Sequence, residues 1–293
     1  MTLFFQQIVD GISSGAIYAL LGLAIVMVHR GSGVANFAQG EMAMLAAYIA
    51  WQVNAWGAPW ALAMLAAVGA SFGIGMLVER LVARRAAQGS VLTVVIVTLG
   101  LFLVINQSAG YLWTFEIKDF RGIMPSGVWS VGGVAVSYDA MGVVGALVLC
   151  GVGLYLLLSR TRVGLAMRAA TSNPESAALV GIRTSRVHMF SWGLAGSIGA
   201  VAGVMVAPRL FLEPSMMFGS LLFAFAAVTV GGLDSPLGAV IGGLLVGISE
   251  NLAGTYVDFI GSDLKIAVPL LIIVLVLIVR PAGMFGNRSV TRA

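Results

Sequence analysis

Six long stretches of this chain contain no charged side chain: 11–28, 42–78, 86–115, 140–159, 187–208 and 214–233. Such runs are of the length, about 20 residues, that carries a helix across a ~30 Å hydrocarbon core. The stretch 42–78 is long enough for two spans and is interrupted by Asn54-Ala-Trp-Gly-Ala-Pro59. With 59% hydrophobic and 10% charged residues and a mean hydropathy of +1.01, the composition lies outside that of soluble globular domains. The expected fold is an all-α integral membrane protein of about eight or nine transmembrane helices, one transmembrane domain over 1–293. Spans are predicted near 8–28, 36–54, 59–79, 90–112, 139–158, 187–207, 217–231, 237–253 and 265–280. The segments 217–231 and 237–253 are short and also fit a re-entrant pair. The start MTLFFQQIVDG lacks a basic region and a small-residue cleavage site, so the first span is expected to be retained. The single cysteine, Cys150, leaves neither a disulfide framework nor a thiolate metal site.

Basic residues set the expected orientation. With the N-terminus outside, twelve of the 16 fall on the cytoplasmic side: Arg30, Arg80, Arg84, Arg85, Arg160, Arg162, Arg168, Arg183, Arg186, Arg280, Arg288 and Arg292. Lys118, Arg121, Arg209 and Lys265 fall outside, and the C-terminus is cytoplasmic. Net charge +4 and pI ≈ 9.6 then reflect topology, and nucleic acid is not an expected partner.

Much of the glycine has helix-face spacing, as in Gly11/Gly15, Gly199/Gly203, Gly238/Gly242 and Gly243/Gly247. Small residues four apart let transmembrane helices approach closely, so packing is the first expectation for them. At 31–41 and 231–238 glycine instead occurs with polar groups, which predicts two helix breaks, each at the cytoplasmic end of a hairpin. Backbone freed by a break survives in a membrane only when buried in protein or lining a wet cavity. Paired breaks in two halves of a transporter mark the path, although Gly/Asp/Ser/Pro turn chemistry accounts for the second equally well. Polar groups within apolar runs are costly and therefore candidates for function. Asn36, Gln39, Glu41, Asn106 and Gln107 are the candidate path residues. Asp10 and Glu250 stand near span ends, where solvation is sufficient.

Catalytic readings fail. Gly11-Ile-Ser-Ser-Gly15 has the G-x-S-x-G spacing but opens a membrane helix instead of a strand-to-helix turn. No phosphate-binding G-x-x-x-x-G-K-[ST] loop is present, and no His, Cys or carboxylate pair has metal-site spacing. No catalytic residue and no metal site is expected.

The polar island 160–186 is different in kind. Asn173 suits a helix N-cap, Pro174 the first helical position, Glu175 the positive end of the dipole, and Gly181 a left-handed end. The result is a helix of about two turns, too short to stand alone in water. Its arginines fit an acidic partner surface or an anionic membrane leaflet.

Glu175-Ser-Ala-Ala-Leu-Val-Gly181 resembles the E-A-A…G coupling loop of ABC-importer permeases. The chain as a whole resembles the permeases of the branched-chain, or hydrophobic, amino acid uptake systems. The similarity runs through QQIVDGISSGAIYALLGLA at 6–24, NFAQGE at 36–41, RVGLAMRAATSNPESAALVGI at 162–182, VTVGGLDSPLGAVIGGLLVGISE at 228–250 and RPAGMFG at 280–286. Members of that family usually have histidine where this chain has Gln39, and commonly an uncharged amide near Asp10. The resemblance implies an importer made of this permease, a second similar permease, two cytoplasmic ATPase subunits and an extracytoplasmic substrate-binding protein, in the bacterial cytoplasmic membrane. ATP and Mg would sit on the ATPase subunits, with no cofactor on this chain. Asn173, Pro174, Glu175, Ala178, Leu179 and Gly181 would form the coupling helix. Relatives move branched-chain or other amino acids, urea, amides or aromatic acids, so the solute stays open. The alternative is an ion- or proton-driven secondary transporter, which needs an ionisable group in mid-membrane.

Overall fold

The structure, a computed structural model, describes residues 2–261 and 264–286; Arg288 and Arg292, counted above, lie outside the described residues. In chain order it contains α1 (Thr2–Ser32), α2 (Gln39–Ala55) and α3 (Trp60–Val78), which continues through a π-helical turn at Glu79–Ala83 into α4 (Arg84–Ala86). Then follow α5 (Val91–Trp113), strands β1 (Val128–Val131) and β2 (Val134–Ser137), α6 (Tyr138–Arg160), α7 (Arg162–Ser172) and α8 (Pro174–Leu179). The chain ends with α9 (Thr184–Leu210), α10 (Met217–Gly231), α11 (Pro236–Tyr256) and α12 (Ala267–Val279). Every apolar stretch marked as a span is a helix at its expected place. Among the described residues, six helices are long and apolar enough to cross a membrane. Helix α10, with 15 residues, is about 22 Å long and falls short of a full crossing by itself.

The hairpin is the departure from an all-α fold. Strands β1 and β2 pair antiparallel with Val131 opposite Val134, and Gly132 and Gly133 form the two-residue turn with φ of +60° and +83°. Positive φ at both central positions is the turn whose twist suits a two-residue hairpin, and Gly-Gly satisfies it.

Helix α1 is the hub. Residues 16–28 are all buried, as a helix apolar on every face requires. It packs against α11, α9, α10 and α6. The α1–α11 seam is built from the glycine pairs the spacing singles out: a Cβ on Gly15 would lie 2.7 Å from the Gly243 carbonyl oxygen, and one on Gly11 2.7 Å from Ile248 Cα. Around this core, α5, α6 and α12 turn Leu92, Leu103, Leu149, Leu271 and Ile278 outward. For such side chains lipid or an apolar partner is the matching solvent.

The helix ends sort into two faces. At one, the Thr171 hydroxyl donates to the Arg30 carbonyl (2.8 Å) and the Arg84 guanidinium to the Ser185 carbonyl (3.3 Å), so α1, α4, α7 and α9 meet there. At the other, the Gln6 side chain donates to the Ala135 carbonyl (2.9 Å), while the Lys118 and Leu212 backbones join (2.9 Å). Loop 160–186, with its arginines, belongs to the first.

Candidate functional site

The first break begins where α1 stops at Ser32, followed by Gly33 at φ +74°. Asn36 then folds the chain back: its side-chain oxygen accepts from the Ala38 N–H (3.0 Å), an Asx turn that starts α2. Its amide donates to Gln39 Oε1 (3.3 Å), and the Gln39 amide donates to the Ala195 carbonyl of α9 (3.2 Å). Gly199 makes room for this, since a Cβ there would stand 2.6 Å from Gln39 Nε2. Asn36, Gln39 and Glu41 are all fully buried.

The depth of this break differs from the expectation. Gln39 bonds to Ala195, eleven residues or about 16 Å along α9 from Thr184. The break therefore lies well inside the bundle and not at the end of a hairpin. The reason is local: Gly31 lies against Ser191 of α9 and Gln39 against Ala195, so the chain turns within the bundle, and Phe37 stacks on Phe225 of α10 at 4.9 Å.

Gln39 and Glu41 are two residues apart on a helix and leave it on different sides. Glu41 faces α5, where Oε2 accepts from the Asn106 amide (3.2 Å). That amide also donates to the Pro214 carbonyl (2.8 Å), and Glu41 Oε1 has no hydrogen-bond partner among the described residues. Two turns along α2, Tyr48 stacks on Trp113 at 5.0 Å with its hydroxyl buried and unpartnered among the described residues. Four of the five candidate path residues thus form two groups: Asn36 with Gln39 against α9, and Glu41 with Asn106 on the α2–α5 seam. Gln107 stays on the exposed side of α5, its amide 3.4 Å from Asn106 Oδ1. Glu41 is thus an ionisable group buried in the bundle, of the kind the ion-coupled alternative needs. Glu250 is also not solvated: it is buried and accepts from the Tyr18 hydroxyl at 2.7 Å.

The second break is a capped turn. The Ser235 hydroxyl accepts from the Gly238 N–H (3.0 Å) with Pro236 at the first helical position. The Met284 and Phe285 N–H groups donate to the Val230 and Gly231 carbonyls (2.7 and 3.0 Å), closing the end of α10. Asp234 reaches the end of α1, its Oδ1 3.1 Å from His29 Nδ1.

In the loop, the short helix forms with both ends closed. Asn173 Oδ1 accepts from the Ser176 N–H (2.9 Å), Pro174 occupies the first position and Glu175 the first turn. The Ile182 N–H donates to the Ala177 carbonyl and the Gly181 N–H to the Ala178 carbonyl, both at 3.0 Å, with Gly181 at φ +85°. That pair of bonds is a Schellman closure. Leu179 and Val180 at its tip are 89% and 77% exposed. Sequence reasoning missed Glu79, buried at the end of α3 and paired with Arg84 at 2.7 Å. Its one signal was a carboxylate five residues before an arginine where an apolar run ends.

Comparison with known proteins decides the family. The family described as "Branched-chain amino acid transport system / permease component" matches residues 7–278. The chain belongs to this family. It is 30% identical to the high-affinity branched-chain amino acid transport system permease protein BraD of Pseudomonas aeruginosa, covering 99% of this chain and 98% of BraD. Identity to the corresponding Escherichia coli protein, LivH, is also 30%, over 99% and 97% of the two chains. A probable LivH of Methanocaldococcus jannaschii is 30% identical over 91% and 88%. This chain is accordingly a multi-pass transport permease of the branched-chain amino acid family, and its relatives are transport subunits.

Proposed function

We propose that this permease is one of two membrane subunits of an ATP-driven importer in the bacterial cytoplasmic membrane, with its N-terminus outside and its arginine-rich face in the cytoplasm. Residues 1–293 form one permease domain. The route of the solute runs beside the buried break, bordered by Asn36, Gln39, Glu41, Asn106 and Gln107. A second similar permease supplies the other half, two ATPase subunits hold ATP and Mg, and an extracytoplasmic binding protein delivers a branched-chain amino acid or a related small solute. The relatives' names support that solute class. The basic-residue bias supports the orientation.

The observation that carries this reading is helix α8. Six residues of helix are marginal alone, yet this piece has an Asn cap, a proline start and a Schellman closure, and among the described residues it leaves Leu179 and Val180 largely uncovered. A helix closed at both ends with a bare apolar tip is suited to a protein socket. ATP-driven motion of that socket would act on α7 and α9, and through Thr171 on the end of α1. The buried carboxyl of Glu41, with one unpartnered oxygen, is the single observation favouring ion or proton coupling. Uptake by proteoliposomes that depends on ATP and persists without an ion gradient excludes it.

Glu175→Lys and Gly181→Val test the coupling helix in the reconstituted complex. Lysine in the first turn opposes the dipole by about 0.3–1 kcal/mol. Valine at φ +85° resists the left-handed conformation at a cost of roughly 1–2 kcal/mol. Both variants are expected to insert normally while substrate-stimulated ATP hydrolysis and uptake fall several-fold. Wild-type values for both would remove the loop from the motor contact.

A further inference from the structure

Beside α8, between α7 and the first turns of α9, runs an open groove of about 510 Å³. Arg162, Arg183 and Arg186 line it together with Val163, Ile182 and Phe190. All three arginines are exposed. None is within ion-pair distance of a carboxylate among the described residues, where the charged pairs are His29–Asp234, Arg84–Glu79 and Arg121–Asp119. The groove also has a direction. Arg183 caps α9 and Arg186 lies in its first turn, while Phe190, one turn farther into the apolar run, packs edge-on to Phe72 of α3 at 5.6 Å. It leads from the basic face toward the apolar body of the bundle.

We propose that this groove is a binding site for an anionic phospholipid. The arginines clasp the phosphodiester, and Val163, Ile182 and Phe190 seat the first part of an acyl chain. Arginine suits the role because its planar fork bonds two phosphate oxygens at once. An acidic protein surface would use the arginines but not the apolar wall that continues into the membrane, and a free phosphate would leave that wall bare. The exposed tip of α8, Leu179 and Val180, does not line the groove. The site joins the two ends of the loop, since Arg162 starts α7 and Arg183 and Arg186 start α9. A bound headgroup would hold the stem of the loop and leave α8 free for a partner. The inference rests on the membrane placement and not on the importer reading.

Native mass spectrometry of the full chain in detergent, titrated with dioleoyl phosphatidylglycerol or dioleoyl phosphatidylcholine, tests it. The wild type is expected to retain phosphatidylglycerol, and not phosphatidylcholine, through detergent removal in the gas phase. Arg183→Gln with Arg186→Gln should weaken that binding about tenfold or more, as loss of two charges near a lipid headgroup requires. Arg85→Gln, an exposed arginine outside the groove, should change it by less than about twofold. Millimolar inorganic phosphate should not displace the lipid. Equal retention by the double variant overturns the proposal, as does an equal loss in Arg85→Gln, which would mean diffuse attraction, or displacement by phosphate, which would mean an ion site. Unchanged lipid binding with loss of co-purifying ATPase would assign the arginines to a protein partner instead. Matching melting temperatures and elution profiles of the variants show that the comparison is between folded proteins.

Discussion

A carboxyl group inside an apolar bundle must be held by its neighbours, and Glu250 and Glu41 are held unequally. Glu250 receives the Tyr18 hydroxyl at 2.7 Å, and Tyr18 is itself fixed by stacking on Phe223 at 4.7 Å. Glu41 has one donor, the Asn106 amide, which it shares with the Pro214 carbonyl. Side-chain hydrogen bonds between transmembrane helices are worth about 0.6–2 kcal/mol, and stranding a buried partner adds the desolvation of that group. Asn106→Leu is therefore expected to lower the melting temperature of the detergent-purified permease clearly more than Gln107→Leu, whose side chain is exposed and whose one bond is long. The measurement is tryptophan fluorescence against temperature, and equal shifts would deny Asn106 its place as the support of Glu41. Sequence marked Glu41, Asn106 and Glu250 as polar groups in or near apolar runs, but it paired none of them and passed over Tyr18. Glu41 and Asn106 are 65 positions apart and Tyr18 and Glu250 are 232 apart, and only the packing of α2 on α5 and of α1 on α11 brings them together.

Between helices the same bundle relies on glycine. In lipid the hydrophobic effect does not drive helices together, so close backbone approach has to supply the contact energy. Along the α1–α11 seam Gly11 and Gly15 face Gly243 and Gly247, and a methyl on Gly15 would meet main-chain atoms that have no rotamer to yield. Gly15→Ala should destabilise the permease by about 1–3 kcal/mol, the usual range for overpacking. Gly73→Ala on α3, where an added Cβ meets nothing within 4 Å, should be neutral or stabilise by up to about 1 kcal/mol. Thermal melts in one detergent give the comparison, and a neutral Gly15→Ala would mean the seam can open. Spacing showed that such a seam exists, yet the partner helix was not legible, because a small-residue stripe states how close a neighbour comes and not which one. The same limit applies elsewhere at this scale. Apolar runs located every long helix, and capping chemistry located the start of α8 at Asn173-Pro174 and its left-handed close at Gly181. The β1–β2 hairpin was overlooked although Val-Trp-Ser-Val-Gly-Gly-Val-Ala-Val-Ser carries its alternation and its turn. The depth of the 36–41 break was misjudged because it depends on where residues 33–38 pack and not on their composition.

Across the whole molecule, the basic face is tied together by contacts remote in sequence. Residues 280–286 return to the end of α10, where Gly283 and Gly232, at φ +73° and +102°, pack main chain to main chain. Asp234 in the same turn stands beside His29 of α1, and Thr171 of α7 holds the neighbouring Arg30 carbonyl. The loop, the hub helix and the C-terminal strap thus share one face. Which side of the membrane that face occupies decides whether α8 can meet a cytoplasmic motor at all. Of the 14 basic residues that are described, ten belong to this face by the helix pattern and four to the other, and cytoplasmic loops are the ones enriched in Lys and Arg. In a Cys150→Ala background, single cysteines at the exposed positions Glu116 and Ser172 report the two faces separately. In intact cells with a permeable outer barrier, a membrane-impermeant maleimide should label Glu116→Cys promptly and Ser172→Cys only after lysis. The reverse pattern would put α8 outside, where no ATPase reaches it, and an importer mechanism built on that helix would fall with it.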